Sequence, residues 1–359
     1  MAQQKRVFYG VQQIAIRDTS MAQNSVVLEL SASGVPASGV VNFWEAPRGV
    51  QSVGITTGFD LESVRQLGQL ATYEQIEDIP DIEVTVSRIL DGTHPLYLMA
   101  SDSNFTELIG RNENYVLDMA LNIYPDTQSR ASGSIVSAAY PSGMRLSAGT
   151  WTFPVDGNFT EELTFVGNNK FWFAASGDCD AGSGTVTEGI LPSGVYDADE
   201  TANLQGTLTG TMRRQDFDLN NTLLPSLIPG VDGSNKLLGN CAECLQSLTI
   251  SFDAGRDELF CLGNRDANDR FLTLPIEVTC VIEAITRRGD LVEADGSIDN
   301  LTNEPIKVVL SDSLTFDLGA KNKLTSTEVS DADTGGGEMV VTYNFTNEND
   351  LVITHSTYP

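Results

Sequence analysis

Apolar and polar residues alternate along two well-separated stretches of the chain. Residues 50–58 (VQSVGITTG) and 245–251 (LQSLTIS) each put every second residue on one apolar face, the two-residue period of a half-buried strand. Farther on, Ile82, Val84 and Val86 share one face while Glu83, Thr85 and Ser87 share the other. Ile276, Val278 and Cys280 stand in the same relation to Glu277, Thr279 and Val281. Pro80 and Pro275 precede these strands, where the missing N–H does least harm. Between the strands of each set the spacing predicts a short helix. Asp60 would cap it, Val64 and Leu67 lie three apart on one face, and Gly68 suits the left-handed residue that ends it. Leu259, Leu262 and Gly263 repeat that plan.

The two stretches read as one unit used twice. At a constant offset of 195, Gln51 falls on Gln246, Ser52 on Ser247, Ile55 on Ile250, Leu67-Gly68 on Leu262-Gly263, and Pro80 on Pro275. After a one-residue slip, Ile82-Glu83-Val84-Thr85 recurs as Ile276-Glu277-Val278-Thr279, and Asn158-Phe159-Thr160 is echoed by Asn344-Phe345-Thr346. The expected repeat core is Ile55, Val64, Leu67 and Val84 in the first unit, with Ile250, Leu259, Leu262 and Val278 in the second. The small, polar run 177–184 is the expected linker, giving domains 1–176 and 185–359. Residues 222–240 and 330–338 read as long loops. Short Val-, Ile- and Thr-rich runs between turn residues, without long helical stripes, make the class mainly β: two tandem sandwich or barrel domains, each flanked by a short helix.

Composition sharpens this picture. With 359 residues, of which 41% are hydrophobic, each domain can bury its own core. The 49 acidic residues against 21 basic ones leave a formal net charge of −28, which repels nucleic acid and anionic membranes. The segment MAQQKRVFYG lacks the apolar stretch of a secretory signal, and no apolar run approaches bilayer length. Folding in a cytosol, with reduced cysteines, is therefore expected.

Candidate chemistry is sparse. Cys241 and Cys244 have zinc-site spacing, with Cys261 and Cys280 downstream. The repeat argues against a metal: Cys261 aligns with Gln66, Cys280 aligns with Val86 on an apolar strand face, and the first unit has none of the four. Both then read as small packing residues. The two histidines, His94 and His355, stand in an apparent turn and near the last residue, with no nucleophile and acid pattern around them. The acidic pairs, such as Asp178/Asp180, lack the further ligands of a calcium loop. No cofactor and no enzymatic activity are expected.

The segments GVQSVGI, DLESVRQLG and PDIEVTVSRI, their second occurrence LQSLTIS, GRDELFCLG and LPIEVTCVIEAI, and the runs NFTEELTFVGNNKFW and MRRQDFDL resemble tail tube proteins of tailed bacteriophages. The resemblance implies a β-sandwich or barrel with a short helix, and rings of six such domains whose inner strands line a lumen for DNA. It implies tape-measure, baseplate or terminator proteins as partners, and a place in the virion tail after assembly in host cytoplasm. With two units per chain, three chains would complete a ring of pseudo-sixfold symmetry. Glu83, Thr85, Glu277 and Thr279 are then candidates for the lumen wall, although the same alternation would be met if they faced outer solvent. Another particle component, such as a baseplate tube initiator or a decoration protein, and a β-sandwich adhesin or carbohydrate-binding module are the competing readings.

Overall fold

A computed structural model describes residues 12–18, 44–45, 47–123, 137–174, 195–196, 210–228, 230–236, 245–263, 267, 269–286, 289–295, 301–311, 314–330 and 338–355. The expected linker at 177–184, Cys179, Cys241 and Cys244 lie outside them.

The fold is mainly β. The chain opens with β1 (Gln12–Asp18), β2 (Trp44–Glu45), β3 (Val50–Gly58), β4 (Leu61–Arg65), β5 (Thr72–Glu77) and β6 (Asp81–Ile89). Two short helices, α1 (Leu96–Met99) and α2 (Leu108–Asn112), come next. The first half ends with β7 (Leu117–Ile123), β8 (Ser137–Ser142), β9 (Arg145–Pro154), β10 (Thr160–Gly167) and β11 (Asn169–Ala174). After β12 (Val195–Tyr196), the second half runs through β13 (Leu245–Asp253), β14 (Asp257–Leu259), β15 (Asp269–Phe271) and β16 (Glu277–Ile285). It closes with β17 (Lys307–Val309), β18 (Thr315–Asp317), β19 (Lys323–Ser330), β20 (Val340–Glu348) and β21 (Val352–Thr354).

One eight-stranded sheet runs through both halves in the order β3-β6-β10-β9-β13-β16-β20-β19. Its first four strands and its last four have the same plan in the same sense. The registers prove the equivalence residue by residue. Against β6, β3 skips one residue between Val50 and Ser52; against β16, β13 skips one between Leu245 and Ser247. Gln51 and Gln246 of the repeated Gln-Ser pair are therefore β-bulge residues, which twist and bend a strand at a fixed place. A second bulge recurs as well: β9 skips Ser147 against β10, and β19 skips Thr325 against β20.

These ladders adjust the sequence alignment. Ile55 stands opposite Val84 and Ile250 opposite Cys280, so Val84 corresponds to Cys280, two residues beyond its match by sequence. A slip of two preserves the face, which is why both readings bury the same side. Phe345 and Phe165 hold equivalent places, opposite Cys280 and Val84; the similarity of Phe345 to Phe159 is only local.

The expected short helices are absent, and their residues form hairpins instead. β4 pairs with β5, and β14 with β15. Asp78 N donates to Asp60 O (2.9 Å) at the base of the first arm, and Gln69 N donates to Gln66 O (3.2 Å) at its turn. Gly68 (φ +89°) and Gly263 (φ +96°) are left-handed as expected, but they turn a hairpin rather than end a helix. An apolar pair three apart gives a short helix too little surface to bury to offset its costly nucleation, whereas in the hairpins the two strands hydrogen-bond to each other. Leu67 and Leu262 are consequently fully exposed, Leu259 is exposed and Val64 half-buried. Of the expected repeat core, Val84, Ile250 and Val278 are buried, and Ile55 is half-buried at the sheet edge. Cys261, expected to pack, is exposed at the second arm's turn, while Cys280 is buried.

The apolar face of the sheet is covered by α1 in the first half and by the small β17-β18-β21 sheet in the second. Trp151 on β9 links them. Its ring lies 5.7 Å from Tyr97 of α1, 5.9 Å from Phe252 of β13 and 5.4 Å from Phe316 of β18. The stretch at 222–236 is packed rather than projecting: Leu224 and Ile228 are buried, and Leu223 exchanges backbone hydrogen bonds with Lys307.

A buried ionic network supports the first half. Glu161 accepts hydrogen bonds from Leu96 N (2.7 Å), Tyr97 N (3.0 Å) and Trp151 Nε1 (3.1 Å), and lies 3.6 Å from Arg88 Nε. Its carboxylate thus serves the first amides of α1, and Arg88 also donates to His94 O, Asp91 and Thr93. In the second half the equivalent strand positions are Ala284 and Val341, and both are buried.

Candidate assembly surface

The sheet's other face is mostly polar, with Ala148, Val166 and Val281 among its apolar exceptions. Glu83 stands between Thr56 and Val166, and Thr85 between Gly54 and Thr164. In the second half Thr279 stands between Ser251 and Thr346, and its hydroxyl is 2.6 Å from that of Ser251. Glu277 stands between Asp253 and Glu348, so three carboxylates meet in one row of the ladder. Like charges so placed repel, a cost tolerated where the side chains reach water; Asp253, Glu277 and Glu348 are all exposed. The four residues singled out from sequence do share this face. The ladder, however, makes Thr279, not Glu277, the equivalent of Glu83. Against these acids the face offers Arg145 and Lys323, each the first residue of its strand.

Both outer strands lack a strand partner among the described residues. β3 presents nine residues with neither charge nor proline. β19 presents Val329, which points to the apolar side and is 45% exposed.

Within the chain, the two halves meet at the antiparallel pairing of β9 with β13, and the second arm clamps that joint. Arg145 pairs with Asp269 (2.5 Å), and Arg270 pairs with Asp81 (3.1 Å) and with Glu258. Asn168 accepts from Arg270 Nε (3.1 Å) and donates to Glu258 (3.1 Å). Arg256 donates to Leu146 O (2.9 Å) and Asn112 O (2.7 Å). Burial, and then the neighbouring Arg145 and Arg270, lower the pKa of Arg256 to about 10. Nothing in the sequence points to this clamp, because its residues come from distant segments and follow no periodicity. Arg88 did carry a signal: it continues the apolar parity of Ile82, Val84 and Val86.

Among the described residues no cluster of metal-ligating side chains occurs, and no helix is long and apolar enough to cross a membrane. Burial pushes the Cys280 thiol well above its ordinary pKa. His94 and His355 are both buried.

No family model matches the chain, and no curated protein matches it. Among solved structures, it is similar to the tube-terminating cap of the anti-feeding prophage, at 12% identity and a TM-score of 0.31, over 49% of this chain and 95% of that one. It is also similar to a chain of the six-fold symmetrised baseplate of the anti-feeding prophage, at 8% identity and a TM-score of 0.30, over 48% of this chain and 97% of that one.

Proposed function

We propose that this protein is a structural subunit of a phage-type tail tube, in which three chains join edge to edge into a ring and rings stack around an acidic lumen. The observation that carries this reading is the repeated strand order of the central sheet together with its two edges, which have no strand partner among the described residues. An uncharged, proline-free edge such as β3 invites another strand. Because the halves follow one another in the same sense, β19 of one chain can meet β3 of the next as β9 meets β13 within the chain. Such a head-to-tail contact either closes into a ring or runs on as a helix. Closure at three chains rests on the resemblance to tail tube proteins, whose rings hold six domains.

In this arrangement each chain contributes two tube-like domains, divided in 177–184. The polar face lines the lumen through Glu83, Thr85, Glu277 and Thr279. Carboxylates there keep DNA from adhering during passage, since phosphate contacts supply most nonspecific affinity. The exposed tips of the arms, with Leu67, Leu70 and Leu262, supply apolar contacts between successive rings. Tape-measure, baseplate and terminator proteins meet the tube along its length or at its ends in the virion. The subunit has no catalytic role. Negative-stain electron microscopy with mass photometry tests this: trimeric rings or hollow stacked tubes are expected. A chain that stays monomeric at every concentration overturns the reading in favour of a decoration protein.

A further inference from the structure

We infer that the joint between neighbouring chains is built on the same plan as the joint inside each chain, and that Glu74 of one chain pairs with Lys323 of the next to lock it. This rests on the ring reading above and specifies the surface that closes it.

The inner joint supplies the template. Its ladder places Ile250 opposite Trp151, Phe252 opposite Gly149 and Asp253 opposite Ala148. The bulges relate β13 to β3 by 195 residues and β9 to β19 by 178 (Gln246 − Gln51; Thr325 − Ser147). Transferred to the outer edges, the ladder sets Ile55 opposite Val329, Thr57 opposite Thr327 and Gly58 opposite Ser326 of the neighbour. The exposed apolar surface of Val329 then continues the core instead of facing water.

The arms transfer in the same way. Glu258 pairs with Arg270 and Leu259 with Asp269 in the second arm; Ser63 pairs with Gln75 and Val64 with Glu74 in the first. Both strands of the arm are thus related by the same 195 residues (Glu258 − Ser63; Asp269 − Glu74). On the surface the arm grips, Arg145, Asp81 and Asn168 become Lys323, Glu277 and Glu348.

The chemistry remains complementary at three places and is lost at a fourth, where Arg256 corresponds to Leu61. The pair Arg145–Asp269 becomes Lys323 with Glu74, a cation on an anion again. Arg270 on Asp81 becomes Gln75 on Glu277, a donor on a carboxylate, and the contact of Glu258 with Asn168 becomes Ser63 with Glu348. All six substituting positions except Ser63 carry long polar side chains, and Glu74, Gln75, Glu277, Lys323 and Glu348 are exposed in the single chain. Nothing in the isolated fold requires the two surfaces to match, since within one chain they lie on opposite halves.

Charge exchange tests this in the full-length protein. Glu74→Lys and Lys323→Glu are each expected to raise the concentration needed for assembly about tenfold or more, because like charges then face across the joint. The double variant Glu74→Lys/Lys323→Glu is expected to restore assembly. Circular dichroism and the unfolding midpoint, unchanged in all three, keep a folding defect from imitating the effect. If wild type forms rings and both single variants assemble as well as it does, or the double variant is not restored, the joint is wrong while the ring reading stands. A wild-type chain that forms no oligomer overturns both.

Discussion

Arg88 and Glu161 set out, at the scale of single residues, what the first half has and the second does without. The pair is buried from water, and the carboxylate also holds two α1 amides and the Trp151 indole. Breaking one partner of such a pair strands the other, at a cost of about 3–5 kcal/mol. Glu161→Ala is therefore expected to lower the unfolding free energy by about that much, read from urea titration. Val341→Ala at the equivalent place removes only apolar atoms and should cost roughly 2 kcal/mol. The sequence shows half of this arrangement. Parity places Arg88 on the buried face, but that Glu161 would reach it, and a helix end besides, depends on a strand some seventy residues away. Glu83, Thr85, Glu277 and Thr279, by contrast, were legible because alternation alone decides which face they take.

Among elements, the strands of the repeat were readable and the arms were not. VQSVGITTG and LQSLTIS announce strands by period and composition, and the repeated Gln-Ser pair marks a bulge in both. Residues 60–68 have too few apolar positions to fix a period. Leu67 and Leu262 looked like core because apolar residues usually are; at an arm's tip they face solvent, fully exposed. The joint substitution Leu67→Ser/Leu70→Ser should change the stability of the single chain by no more than about 0.5 kcal/mol, as expected for solvent-facing positions. If the arms join successive rings, the same variant stops at single rings in electron micrographs, where wild type extends into tubes. Unimpaired tube growth would assign the stacking contact elsewhere.

For the whole molecule, charge is the property the sequence states most plainly, and the sheet gives it a direction. Acidic side chains gather on one face, with Arg145 and Lys323 at strand starts as its basic residues, while the other face is apolar and covered. Should that face line the lumen, Glu83→Lys/Thr279→Lys, at the two equivalent positions, creates phosphate contacts where none existed. Duplex DNA is then expected to co-sediment with assembled tubes at low salt and to be released as salt rises, whereas wild type leaves it in the supernatant. Equal retention by both proteins would place the face on the outside.

The pairing of β9 with β13 also has a mechanical meaning. In a ring built from such chains, seams of two kinds would alternate. One kind lies within a single polypeptide, is clamped by arginines, and cannot be separated by dilution. The other joins separate polypeptides through a lysine and is the place where a strained tube gives way. A ruptured ring would therefore shed whole subunits and never half of one, and repair would need only the addition of an intact chain.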